Sequence, residues 1–263
     1  MLRRSIANHS KGIAASLMGL VVAGCLANAP DETVSPSPFS ESPSPTPSPS
    51  LATTPSAADV AAASQARLQG LQLRNQGRYE DAIATLKKSV ELDPQNLSSY
   101  VILGWTLHLA GEETAAAQTL QQALVRDPDH VPALNALGIV HLVSGDLQAA
   151  VATHTQAATL KPDNEIAYYN LSLAYQRLQQ YDDAVAKATR ATELEPGNPH
   201  PWVALAIAHW GNEETAAANQ AYQRAIQLDG RYHDRGFLSH LEQAGFSPDQ
   251  IRITEQVRTA SRS

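Results

Sequence analysis

The chain has 263 residues, a formal charge of −7 at neutral pH and one cysteine. The acidic balance argues against nucleic acid or an anionic lipid surface as a partner of the folded part, because both demand clustered cations. A lone thiol excludes an internal disulfide.

Residues 1–24 open with Arg3, Arg4 and Lys11 and no acid, followed by an apolar run from Ile13 to Ala23. A membrane-spanning helix needs about 20 apolar residues, so this run reads as the core of a signal peptide. The stretch Val22-Ala23-Gly24-Cys25 resembles the bacterial lipobox. That resemblance implies cleavage before Cys25 and conversion of its thiol to a diacylglycerol thioether. The alternative is an ordinary signal peptide cut near Ala29, with Cys25 discarded. Removal of the segment takes away three cations and no acids, so the charge moves to about −10.

Residues 25–56 form the next unit, a Cys25-anchored tether. Between Pro30 and Pro55 it holds eight of the sixteen prolines and almost no large apolar side chain, so it cannot build a core. Its Ser-Pro alternation favours an extended path. At about 3.1 Å per residue, roughly 30 residues reach on the order of 90 Å, which suits a spacer.

From residue 57 to 232 helix formers dominate and the chain repeats itself. Pro94, Pro128, Pro162 and Pro196 lie 34 residues apart without a gap, framing units 63–96, 97–130, 131–164, 165–198 and 199–232. Small residues fill three columns. Two are Ala82, Ala116, Ala150, Ala184, Ala218 and Ser89, Ala123, Ala157, Ala191, Ala225; the third is Gly70, Gly104, Gly138, Ser172, Ala206. Such columns mark close helix crossings. Large residues at helical spacing stand between them, for example Tyr100 and Leu103, Leu134 and Leu137, Tyr168 and Leu171, Trp202 and Leu205.

This pattern resembles the tetratricopeptide repeat family. The resemblance implies an all-α, right-handed solenoid of about five helix hairpins plus a C-terminal capping helix pair. The first unit departs from the pattern at Ala66 and Gln69, and in the fifth Gly211 falls two positions early and Gly230 replaces the closing proline. Asn96, Asn164 and Asn198 stand where they can cap the following helices. Residues 233–258 are expected to cap the open end, with Phe237, Leu238 and Leu241 on one helical face. A capping box of Ser247 and Gln250 follows, with Pro248 at the first helical position; residues 259–263 are a tail.

No phosphate loop, Cys-x-x-Cys or nucleophile elbow is present, so the reading is non-enzymatic, with no cofactor and no metal. His141 and His154 fall on the two helices of the third unit and could approach each other, but supply too few ligands for zinc. The acidic doublets Glu112-Glu113 and Glu213-Glu214 sit at helix starts, where negative charge is favoured. His233 and His240 read as solvated or capping residues.

In the family this pattern resembles, the first helix of each hairpin lines a concave groove. There the row Leu71, Trp105, Ile139, Leu173 and Ile207 is apolar throughout. Val101, Leu142, Tyr169, Val203 and Trp210 flank it, with Asn135 and Asn170 as hydrogen bonders for a bound backbone. Two readings stay open: a greasy binding groove, or core buried between neighbouring repeats. The expectation is a lipid-anchored scaffold of the bacterial cell envelope, its folded part on the periplasmic side. Its partners would be another envelope protein or peptide segment and, through the lipid on Cys25, the membrane, with no nucleic acid. The alternatives are a self-associating spacer, a homo-oligomer, and a metal-dependent enzyme.

Overall fold

A computed structural model describes residues 54–261. The signal segment, Cys25 and nearly all of the tether lie outside the described residues.

Five hairpins follow one another in chain order. They are α1 (Ala57–Asn75) with α2 (Tyr79–Leu92), α3 (Leu97–Leu109) with α4 (Glu113–Arg126), and α5 (Val131–Ser144) with α6 (Leu147–Leu160). Then come α7 (Glu165–Arg177) with α8 (Tyr181–Leu194) and α9 (Pro199–Gly211) with α10 (Thr215–Leu228). Each second helix packs on the next first helix, and the first helices α1, α3, α5, α7 and α9 also pack side by side. The fold is an all-α solenoid. No helix among the described residues is long and apolar enough to cross a membrane.

The small columns are the helix crossings. Ala82, Ala116, Ala150, Ala184 and Ala218 have no exposed surface, nor do Ser89, Ala123, Ala157, Ala191 and Ala225. A Cβ at Gly70 would stand 2.5 Å from Leu86, and one at Gly104 would stand 2.6 Å from Leu120. A methyl group therefore does not fit without displacing the leucine of the second helix.

The turn inside each hairpin contains a residue in the left-handed region, again 34 apart: Gly77, Gly111, Gly145, Gln179 and Glu213. The fifth turn is thus at Glu213, and Gly211 is not a displaced turn glycine. It ends α9 against Tyr181, whose ring would collide with any Cβ there. Asn96, Asn164 and Asn198 cap α3, α7 and α9, each accepting from a backbone N–H of the first turn.

The end of the chain differs from the expected helix pair. Residues Gly230–His233 and Arg235–Ala244 are 3-10 helices, and only α11 (Pro248–Ala260) is an α-helix. The Ser247–Gln250 capping box and Pro248 start it as the sequence indicates.

Candidate functional site: the inner face of the solenoid

The expected groove row is divided. Leu71, Trp105 and Ile139 remain partly exposed, whereas Leu173 and Ile207 have no exposed surface. The cause is the C-terminal segment, which turns back over the inner helices instead of continuing the stack. Ala244 lies beside α7, where its carbonyl accepts a 2.6 Å hydrogen bond from the Tyr169 hydroxyl. A side chain at Gly245 would touch Leu173, Asn170 and Leu142. Phe246 is buried beside Tyr169, with ring centroids 6.2 Å apart. Gln250 is buried too, and its Nε2 donates to the Leu173 carbonyl at 3.1 Å. From there α11 returns across α9 to α10, where Gln223 donates to the Ser261 carbonyl. Burial pushes the Tyr169 hydroxyl well above its usual pKa, which keeps it a neutral donor.

Six expected groove residues are not available as the sequence suggests, four of them because they pack with the C-terminal segment and two because their amides are paired within the repeats. Leu142, Leu173, Val203 and Ile207 are fully buried and pack in one core with Phe246, Leu238, Leu241 and Val257 of the C-terminal segment. Asn135 and Asn170 are buried and already paired. Asn135 exchanges two amide hydrogen bonds with Asn164, at 3.2 and 2.9 Å, and Asn170 donates to the Ile166 carbonyl at 2.8 Å. Neither amide is left to read a bound backbone. Trp210 and Tyr169 are partly exposed at the edge of the covered half.

The open half consists of Leu71, Val101, Trp105 and Ile139 on α1, α3 and α5. Trp105 leans on His108, with ring centroids 4.9 Å apart, and His108 in turn holds Glu113 at 2.8 Å. The same clamp across the turn recurs between His209 and Glu214 at 2.5 Å, and more loosely between His141 and Asp146 at 4.0 Å. Glu113 and Glu214 thus hold histidines, and no side chain caps the helices at Glu112 or Glu214. Arg67 borders the groove, donating to Ser64 at 3.1 Å.

No group of three or more His, Cys, Asp or Glu that could hold a metal occurs among the described residues. His154 is entirely enclosed, and neither ring nitrogen meets a hydrogen-bond partner. Burial pushes it down to about 3, and His141 nearby adds to the effect; the backbone at Gly138 pulls the other way without reaching hydrogen-bond geometry. His233 is exposed, while His240 is half-buried against Tyr232 and His200.

A family model described as tetratricopeptide repeat matches residues 67–131 and 114–165, and a second of the same description matches 166–198. The chain belongs to the tetratricopeptide repeat family. Similar solved structures include the crystal structure of MamA protein, at 24% identity and a TM-score of 0.57, covering 65% of this chain and 93% of that one. Another is MamA 41-end from Desulfovibrio magneticus RS-1, at 20% identity and a TM-score of 0.58, covering 64% and 94%. A third is TTC0263, a thermophilic TPR protein in Thermus thermophilus, at 22% identity and a TM-score of 0.54, covering 77% and 100%. At these identities the likeness establishes the fold alone. No curated protein sequence matches the chain. The repeat fold is that of a protein–protein interaction scaffold.

Proposed function

We propose that the protein is a non-catalytic scaffold of the bacterial cell envelope, lipid-anchored through Cys25, that binds a segment of another envelope protein along the open half of its inner face. The observation that carries this reading is the line of partly exposed apolar side chains, Leu71, Trp105 and Ile139, on three consecutive first helices. Such a line fits an extended or helical segment that inserts apolar anchors, and an aromatic at its centre is a typical hot spot. The lipobox resemblance at Cys25 and the Ser/Pro-rich stretch after it support the anchor and the spacer.

Crosslinking in native membranes with identification of the captured protein tests the reading. Trp105→Ala and Ile139→Ser should weaken capture, the tryptophan change by about 2 kcal/mol or more in binding. Lys187→Ala on α8, a second helix, serves as control. Melting curves should show that both groove variants remain folded. Unchanged binding of both variants to the captured protein would move the binding site off this face.

A further inference from the structure

The segment that covers the C-terminal half of the groove is fixed at its base by a cluster of aromatic and titratable groups. His200 stands in the first turn of α9, and its ring centroid lies 5.7 Å from that of His240 in the second 3-10 helix. His240 stacks on Phe237 at 3.7 Å, and its Nδ1 is bonded to the Phe237 carbonyl. With the Nδ1 proton given to that carbonyl, Nε2 is left to accept from the Tyr232 hydroxyl at 3.1 Å. Tyr232 is itself fully buried, and its carbonyl accepts from the Tyr222 hydroxyl of α10 at 2.9 Å. In its neutral form His240 thus satisfies both ring nitrogens while packed against a second imidazole.

The charged groups facing the pair act in opposite directions, and burial outweighs them. Asp229, at the end of α10, faces both rings and favours a proton on each, while its carboxylate is also engaged by the Arg231 guanidinium at 2.8 to 3.1 Å. Arg231, in the first 3-10 helix, faces His240 and repels a second cation. From α9 the facing group is His200, from the second 3-10 helix it is His240, and burial pushes the Tyr232 hydroxyl up, which keeps it neutral. Two imidazolium rings at this separation would repel each other in surroundings that have lost much of their water.

Resting on the scaffold reading above, we propose that residues 230–261 are a resident ligand of the groove, held by the His200–His240 pair. Proton uptake by that pair releases them and extends the open binding face to α7 and α9. The released surface, with Tyr169, Leu173, Val203 and Ile207, takes an amphipathic helical segment of a partner. The resident segment displays the chemistry required: an aromatic anchor at Phe246, an amide at Gln250 reaching a groove carbonyl, and an apolar side chain at Val257.

The sign follows from where the proton is bound more tightly. Burial, with a smaller contribution from His240, pushes His200 down to about 4, and burial also lowers His240. The released segment returns both towards the ordinary value near 6.5. Docking is therefore fully favoured above about pH 6.5 and is progressively lost as the pH falls towards 4. For His200 alone, the opening equilibrium at pH 5 should rise about 30-fold over that at pH 7.5.

Hydrogen exchange of the full chain decides the matter, with protection factors corrected for the intrinsic pH dependence of amide exchange. The background is His154→Leu, so that the buried imidazole of the third hairpin does not titrate. Protection of α11 should drop by about 30-fold or more between pH 7.5 and pH 5, while α5 and α6 keep theirs. His200→Gln with His240→Gln should remove that pH dependence. Gln250→Ala, which leaves the histidines in place, should loosen α11 at both pH values and preserve the pH-dependent drop. Exchange of α11 only together with the whole solenoid at both pH values would overturn the proposal. So would a pH response that survives the double histidine change. None of these readouts involves a partner, so they stand or fall apart from the scaffold reading.

Discussion

Replacing His154 by leucine should stabilise the protein and remove much of its sensitivity to acid. The 34-residue register puts His154 where Leu86 and Leu120 stand in the first two hairpins, each facing the glycine of the first helix. A leucine of similar bulk is thus the side chain the repeat already accommodates twice. In the wild type the imidazole has no exposed surface and both nitrogens lack partners, a loss of about 1 to 3 kcal/mol for a buried group left unsatisfied. The folded-state value of about 3 lies well below the unfolded value of about 6.5. The unfolded chain therefore takes up the proton first, and stability falls as the pH drops from about 6.5 towards 3. At pH 5 the difference amounts to about 2 kcal/mol, rising to about 5 kcal/mol below pH 3. Urea unfolding of wild type and variant at pH 7.5 and pH 5 measures both terms, and other titrating groups cancel in the comparison. A variant that is less stable at pH 7.5 and shows the wild-type pH dependence would refute the reasoning, because the imidazole would then have a proton-holding partner.

Three further expectations follow, two from the turn and helix-end geometry and one from the sequence around Cys25. Gln179 and Glu213 occupy the left-handed turn position that Gly77, Gly111 and Gly145 fill elsewhere, so Gln179→Gly and Glu213→Gly should each stabilise by about 1 kcal/mol in thermal melts. Gly211→Ala should instead lower the melting temperature, since the added carbon meets the Tyr181 ring. Cys25→Ser should abolish partition into a detergent phase, because serine lacks the thiol that the lipid requires; retained partition would refute the lipoprotein reading.

What the sequence revealed is what the repeat encodes locally. The proline spacing and the three small columns are contacts within one hairpin or between adjacent ones, so a fixed period displays them, and every alanine of the two second-helix columns is buried as expected. Left-handed turns were visible only where glycine marks them; Gln179 and Glu213 adopt the same backbone without that signature. The division of the groove was not legible at all. It depends on Tyr169 meeting Ala244 and Leu173 meeting Gln250, pairs 75 and 77 residues apart outside any period. The Ser247–Gln250 capping box announced a helix start but carried no information about the face on which that helix lands. The pairing of Asn135 is hidden for a related reason: its partner, Asn164, also caps a helix, and one amide does both.

The two halves of the solenoid have unequal cores. One large apolar cluster runs from Leu142 to Val257 and includes the returning C-terminal segment, whereas the first hairpins share a smaller one, and α1 buries only Ala63, Ala66 and Gly70. In a stack held together by neighbour contacts, the end with the thinner core frays first. That end also carries Leu71, Val101 and Trp105, so the open binding surface is built on the part of the molecule with least to hold it. A partner lying across α1, α3 and α5 would join three hairpins that otherwise separate one at a time, and by mass action its occupancy would show as delayed melting of the N-terminal end. Recognition and local folding are in this way coupled at the same three helices, and the bound segment would serve as a splint for the repeats that receive it.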